Sequence, residues 1–387
     1  MLLDGRQRVV IDRLEPELDG GRFAIKRVVG DELRVQAFAV VDGHDLVAAR
    51  LVVTPPGGGQ PLAIPMISAG QDRYEAALRL TEIGRWTYTV EAWVDEFRTW
   101  QRGVEKKLAA NQPVDVERQI GRALLERART IADPVAAAQL DRALESLRSE
   151  QGIAAALDPA LAELLAVHGP RRHATRYDRP QAVVVDPVQA RYSSWYEFFP
   201  RSMADAPRHG TFHDCIERLP QIAAMGFDVL YLPPIHPIGR SFRKGKNNAP
   251  AAEAGDVGSP WGIGAAEGGH TAVHPQLGTL DDFRRLVTAA RERKIDVALD
   301  IALQCSPDHP WVREHPQWFK QRPDGTIQYA ENAPKKYQDI YPLWFETDDW
   351  QALWQALKGV FEFWIEQGVR VFRVDNPHNK PFAFWQW

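Results

Sequence analysis

The chain has 387 residues, 44% hydrophobic and 25% charged, and Lys+Arg 47 against Asp+Glu 51 leaves a formal net charge of -4. That balance is typical of a soluble globular protein of two or three domains. It excludes a chain built around a strong positive field for nucleic acid or an anionic membrane. No run approaches the ~20 apolar residues of a membrane span. The N-terminal run MLLDGRQRVVIDRLEPELDGG has no signal-peptide apolar core. Two cysteines, Cys215 and Cys305, offer neither a disulfide framework nor metal-ligand spacing. The expected setting is reduced and cytoplasmic.

Residues 1–105 read as β. VVIDRLEP, FAIKRVV, LRVQAFAVV, LVAARLVVTP, YEAALRL and WTYTVEAWV are short, partly alternating runs split by LDGG, DGHD and PPGGGQP. That spacing predicts a β-sandwich. Residues 106–188 turn to Ala, Leu, Arg and Glu and predict a helical insertion. Val116, Ile120, Leu124, Ala128 and Ile131 mark its expected buried face. Asp133-Pro134 and Asp158-Pro159 pair an N-cap acid with proline at the first helical position. Gly169-Pro170 stops the last helix, and RRHATRYDRP at 171–180 reads as a solvated linker.

From 189 to 387 strands and helices alternate. RYSSWYEFF, FDVLYLPPI, IDVALDIAL and VRVFRVD are strands. Thr211-x-x-Asp214 and Thr279-x-x-Asp282 open helices, and Gly226 and Gly368 close them. The fold class is therefore multidomain: an N-terminal β-sandwich, a helical insertion, and four βα units forming the first half of a TIM (β/α)₈ barrel. Half a barrel leaves its sheet unclosed, so the sequence reads as part of a longer protein.

Barrel chemistry sits at the C-terminal strand ends. Strand 4 ends in Arg373-Val374-Asp375-Asn376. Alternation puts Arg373 and Asp375 on one face, where the guanidinium is expected to keep the carboxylate charged. A charged, oriented carboxylate is what glycosyl transfer needs as nucleophile. A structural Arg–Asp pair is the simpler alternative for the tripeptide alone. Arg240, Arg243, Lys244 and Lys246, with Asn247 and Asn248, gather after strand 2, and Lys335, Lys336 and Tyr337 after strand 3. Two cationic loops over a carboxylate suit a phosphate leaving group. Trp195, Trp261, Trp311, Trp318 and Trp344 are candidates for stacking on sugar rings, whereas Trp354 and Trp364 read as core. GDVGSPWGIGAAEGG at 255–269 reads as a mobile loop.

HPQLGTLDDF, DIALQC and FRVDNPH, in this chain order, resemble three motif segments of the α-amylase superfamily of glycoside hydrolases (family 13). ALQCSPDHPW, PIGRSFRKGKNN, KKYQDIYP and FRVDNPHNKP resemble its maltosyltransferase subgroup, which extends α-1,4-glucans from α-maltose 1-phosphate. The resemblance implies Asp375 as nucleophile, with Arg373 beside it. It implies Lys244, Asn248, Lys335 and Tyr337 on the phosphate, and Gln304, Asp339 and Asn376 on the sugar. It implies no cofactor, and Gln304 with Cys305 where amylases carry a calcium-holding Asn and a His argues against calcium. It also implies homodimerisation through the sandwich and helices. The partners expected are thus α-maltose 1-phosphate, an α-1,4-glucan acceptor and a second copy, with no nucleic acid and no membrane. The general acid/base and a later stabilising Asp are expected beyond residue 387, leaving these 387 residues inactive alone. An amylase-type hydrolase, a trehalose-forming isomerase and a non-catalytic glucan-binding chain are the alternatives.

Overall fold

The computed structural model describes residues 4–205 and 207–387; Met1–Leu3, the first residues of the N-terminal run, lie outside that range. Two compact units divide the chain, one ending at Arg191 and one starting at Tyr192. In the first unit the strands are β1 (Val9–Glu15), β2 (Ile25–Val28), β3 (Glu32–Val41), β4 (Val47–Thr54), β5 (Leu62–Pro65), β6 (Ile67–Gly70), β7 (Arg73–Arg79) and β8 (Gly84–Val94). Helices α1 (Glu96–Ala109), α2 (Asp115–Arg129), α3 (Pro134–Ser146) and α4 (Pro159–His168) follow, then β9 (Thr175–Arg176) and β10 (Gln181–Asp186).

The strands form two sheets, β1-β3-β7-β6 and β2-β10-β8-β4-β5, with β9 beside β8. Alternation does the work: Leu33, Val35, Ala37 and Ala39 of β3 face Leu51 and Val53 of β4 and Tyr88, Val90 and Ala92 of β8 in one core. The predicted sandwich is present, but its boundaries move. Helix α1 already begins at Glu96, capped by the Asp95 side chain. Residues 175–186, expected in the helical insertion, return to the sandwich: β10 lies between β2 and β8 and buries Val183 and Val185. Nor is 171–180 solvated throughout, since Tyr177 is buried in that core and its hydroxyl donates to Glu17 at 3.1 Å.

The helices have their own core of Phe97, Trp100, Val104, Leu124, Leu125, Ala128, Leu140, Leu161 and Leu165. Asp133 and Asp158 cap α3 and α4 as expected. The expected face of α2 is partly wrong: Leu124 and Ala128 are buried, whereas Val116 and Ile120 are exposed, and Ile131, also exposed, lies past the helix end at Arg129. Gly121 is the reason, because a Cβ there would stand 2.4 Å from the Trp100 ring. The bare backbone admits the indole and turns α2 onto its Gly121–Leu125 side.

In the second unit come β11 (Trp195–Glu197), α5 (Phe212–Ala224), β12 (Val229–Leu232), α6 (Leu280–Glu292), β13 (Asp296–Ile301), β14 (Gln304–Cys305), α7 (Pro310–Glu314), β15 (Ala330–Asn332), β16 (Lys335–Tyr337), β17 (Tyr341–Pro342), α8 (Trp350–Glu366), β18 (Val371–Val374) and α9 (Phe382–Gln386). The sheet runs β11-β12-β13-β18, all parallel and in chain order. Both capping boxes form, at Thr211/Asp214 and Thr279/Asp282. Leu230, Leu232, Val297, Leu299 and Ile301 pack with α5, α6 and α8 in the main core. On the opposite face Val229, Tyr231 and Ala298 make a small second cluster joined by Val371. Strands apolar on both faces are the expected mark of a parallel sheet. Among the described residues no helix is long and apolar enough to cross a membrane.

Candidate active site

The face opposite the helices becomes polar at the strand tips. Register sets Asp300 beside Arg373. Arg373 Nη1 donates to Asp300 Oδ2 at 3.0 Å and to Asp375 Oδ1 at 2.7 Å. The Tyr231 hydroxyl donates to Asp300 Oδ2 at 2.5 Å. Asn376, in a left-handed conformation with φ of 47°, donates from Nδ2 to Asp375 Oδ2 at 2.9 Å. Both Asp375 oxygens are therefore held. Asp300 lies beneath, 0% exposed, and burial raises its pKa to about 6 against the pull of Tyr231 and Arg373.

Above this network lies a cleft of about 630 Å³. Lys244 and Asn248 reach it from the loop after β12, and Gln304 from β14, whose pairing with β17 draws the long loop 306–340 over the sheet. Tyr337, Asp339, Asp375 and Asn376 line the cleft as well. Lys244 is buried and its Nζ donates to the Lys336 carbonyl at 3.4 Å. Gln304 Nε2 donates to the Trp261 carbonyl at 3.1 Å. Burial raises the Asp339 pKa, opposed by Lys244. Asp339 Oδ1 and Trp261 Nε1 are buried with no partner.

Some expected residues stand elsewhere. Lys335 lies on β16, exposed, and does not line the cleft; its strand neighbour Asn332 does. Arg240 is paired with Glu267 at 2.8 Å, and Arg243 donates to the carbonyls of Gly239 and Ile238. Lys246 is exposed, 4.0 Å from Asp256. Only Lys244 and Asn248 of that basic loop meet the cleft. The glycine-rich stretch is pinned at its centre, as Gly262 O accepts from Gly239, Gly264 donates to Pro237, and Ile263 O accepts from Ser306. Of the candidate stacking tryptophans only Trp261 lines the cleft; Trp311 stacks on His270 and Trp318 is buried, donating to Asp349 at 2.9 Å. Lys380 lines the cleft as well and donates to Asn376 O at 3.2 Å. Its place in FRVDNPHNKP, five residues beyond Asp375, was the available signal.

A buried trio of His270, Cys305 and His309 has metal-like proximity, with ligand atoms within 4.8 Å of one another. Its hydrogen bonds argue against a metal. His270 Nε2 donates to Ala302 O (2.9 Å), so its Nδ1 accepts from His309 Nε2 (3.0 Å), and His309 Nδ1 accepts from Trp311 N (3.1 Å). Each imidazole lone pair is already used. Burial keeps both rings neutral, with pKa values lowered to about 4 and about 2.

Comparison with known proteins matches this division of the chain. Residues 7–187 match the family described as alpha-1,4-glucan:maltose-1-phosphate maltosyltransferase, domain N/S, and residues 197–352 match the alpha amylase catalytic domain. The alpha-1,4-glucan:maltose-1-phosphate maltosyltransferases of Chlorobaculum tepidum and Methylacidiphilum infernorum are 53% and 48% identical over 99% and 100% of this chain. The chain spans 58% of the length of each. The crystal structure of an alpha-amylase from Lactobacillus plantarum aligns with a TM-score of 0.43 at 31% identity, covering 51% of this chain and 41% of its own. With the N/S domain followed by the amylase-type catalytic domain, and near 50% identity to these relatives along its length, the chain belongs to the alpha-1,4-glucan:maltose-1-phosphate maltosyltransferase family.

Proposed function

We propose that the cleft above Asp375 is the donor site of a retaining maltosyltransferase. Asp375 attacks the anomeric carbon of α-maltose 1-phosphate. The bond from that carbon to the phosphate oxygen breaks, and orthophosphate leaves. The 4-hydroxyl at the non-reducing end of an α-1,4-glucan then attacks that carbon; the ester bond to Asp375 breaks and restores its carboxylate, and the hydroxyl proton passes to a general base supplied by the rest of the protein, with net retention. Lys244, Asn248 and Tyr337 receive the phosphate, with Lys335 close by on β16. Gln304, Asp339 and Asn376 receive the sugar, and Arg373 aims the nucleophile. Asp300 is sealed beneath Arg373, which suits it to holding the guanidinium rather than to delivering protons into the cleft.

One observation carries the reading. A carboxylate held on both oxygens faces a cleft with a buried lysine on one wall and unpartnered buried groups, Asp339 Oδ1 and Trp261 Nε1, among its lining residues. Buried polar atoms without partners are where sugar hydroxyls gain most by docking. The reading includes glycogen-type α-glucan synthesis, a cytoplasmic setting and a homodimer. Two buried free cysteines support the setting, and exposed Val116 on α2, Val135 on α3 and Ile131 in the turn between them support self-association.

The test is orthophosphate release from α-maltose 1-phosphate with a glucan acceptor, using the protein that carries this chain. Asp375→Asn should abolish release while donor binding persists, since an amide cannot attack but fills the same space. Lys244→Ala should weaken use of the donor by about 1.5–3 kcal/mol. Hydrolysis of amylose without phosphate release would establish the hydrolase alternative instead.

A further inference from the structure

A second polar cavity, of about 590 Å³, lies on the far side of the Lys244 loop. Arg201 and Ser202 reach it from the turn after β11, Arg243 from the loop after β12, Arg208 and His209 from just before α5, and His274 and Gln276 from just before α6. Asp256 and Val257 also line it. Its cations are not alike. Arg208 is neutralised by Asp214, with Nη1 to Oδ2 at 2.9 Å and Nη2 to Oδ1 at 2.5 Å. Arg201 and Arg243 have no carboxylate within ion-pair distance among the described residues. Arg243 spends its nitrogens on the carbonyls of Gly239 (2.7 Å), Ile238 (2.8 Å) and Asp256 (3.4 Å). Arg201 Nη1 donates to Gly258 O at 2.8 Å, and its guanidinium carbon lies 5.2 Å from the Phe199 ring centroid.

The nearby carboxylates are committed elsewhere. Glu267 binds Arg240, Asp308 accepts from Ser241 and Arg240 backbone N–H groups, and Asp256 accepts from Glu253 N. Burial lowers the pKa of both Arg201 and Arg243; for Arg243 the Arg240 charge adds to this and the charges of Asp308 and Glu267 oppose it only in part. His274 Nδ1 accepts from Gln276 N at 3.2 Å, so Nε2 carries the proton as a donor. The ring stacks on His209 at 5.4 Å and 10°. Burial, with His209, Arg243 and Arg201 around it, lowers its pKa to about 4, so it donates as a neutral group.

We propose that this cavity is a second oxyanion site, which takes a phosphate group on Arg201, Arg243 and His274, with the Ser202 hydroxyl beside them. Two partly buried guanidiniums without an anion are costly unless one enters. A third cavity, of about 430 Å³, shares Arg201, Asp256 and Val257 with this site and Lys244, Asn248, Ser259 and Trp261 with the cleft. A continuous polar trough therefore links the two. The anion is either phosphate released in the cleft or a phosphate monoester from solution. Only the first source rests on the proposed transferase reading; the site itself rests on the unpaired arginines.

Calorimetric titration of the full-length protein with inorganic phosphate tests this. Two phosphates should bind per chain. Arg201→Gln should weaken one of them at least about tenfold and Arg201→Lys much less. His274→Phe keeps a ring on His209 and removes only the donor, and should weaken the same site about two- to tenfold. Lys244→Ala should remove the other phosphate and leave this one. Titration with glycerol 1-phosphate separates the sources: binding at the Arg201 site assigns a monoester, and exclusion assigns released phosphate. A single phosphate that only Lys244→Ala removes, or Arg201→Gln and His274→Phe titrating like the parent, overturns the proposal. Loss of the cleft phosphate alone counts against the transferase reading and leaves this site standing.

Discussion

Arg373 Nη1 serves two carboxylates with opposite surroundings. Asp375 stands at the cleft, while Asp300 is fully buried, with Oδ1 unpartnered. Burial outweighs the help of Tyr231 and Arg373, so the folded protein holds the Asp300 proton up to about pH 6, against 3.8 as the ordinary value. Protonated Asp300 thus contributes stability in full below pH ~4, and that contribution is lost as pH rises through about 6. Asp300→Asn replaces the titrating group with an amide of the same size. Its stability should change less between pH 4 and 6 than the parent's, by about 2–3 kcal/mol across the window. Urea unfolding at each pH measures this, and parallel curves for parent and variant would refute it. Removal of Arg373 would be worse, because it leaves a buried carboxylate with Tyr231 as its one remaining side-chain partner.

Helix packing in the first unit turns on a missing atom. Gly121 sits in the middle of α2, where alanine would ordinarily add about 1 kcal/mol to the helix. Here the added Cβ would lie 2.4 Å from a ring carbon of Trp100, a residue 7% exposed whose Nε1 donates to Glu117 O at 2.8 Å. The indole cannot withdraw without giving up that bond. Overpacking of this kind costs about 1–3 kcal/mol, so the clash wins over propensity. Gly121→Ala should therefore lower the melting temperature of the helical layer, and a rise would show that Trp100 moves freely. Similar logic holds in the second unit, where a Cβ at Gly269 would stand 2.2 Å from His309 Nε2. That glycine leaves room for the His309–His270 pair, whose His270 donates to the Ala302 carbonyl two residues before Gln304.

The two units bury separate cores. Leu51 belongs to the sandwich core and Leu299 to the core under the parallel sheet, and each is 0% exposed. A Leu→Ala change at a fully buried site costs about 2–5 kcal/mol. If each core melts as its own cooperative block, Leu51→Ala should lower one calorimetric transition and Leu299→Ala the other. A single transition shifted equally by both would show that the units unfold together. The same division organises the candidate chemistry, because the cleft, the Arg201 cavity and the Arg373 network all lie in the unit from Tyr192 onward.

Local rules made much of this architecture legible. Alternation marked the sandwich strands, Thr211-x-x-Asp214 and Thr279-x-x-Asp282 marked helix starts, and the Arg373-x-Asp375 spacing marked a shared face. Each of these depends on residues within a few positions of one another, so it survives without tertiary context. Partnerships across the fold were hidden. Arg240 and Arg243 looked like ligands for a phosphate in the cleft, yet Glu267 holds the first and carbonyls fix the second at the Arg201 cavity instead. Nothing local set Asp300 apart until register placed it beside Arg373. Val183 and Val185 carried no sign that their strand returns between β2 and β8, because pairing over more than ninety residues is decided by which edge is left open. Packing also chose the buried side of α2, since periodicity shows that a helix has an apolar stripe but not which neighbour, here Trp100, it must admit.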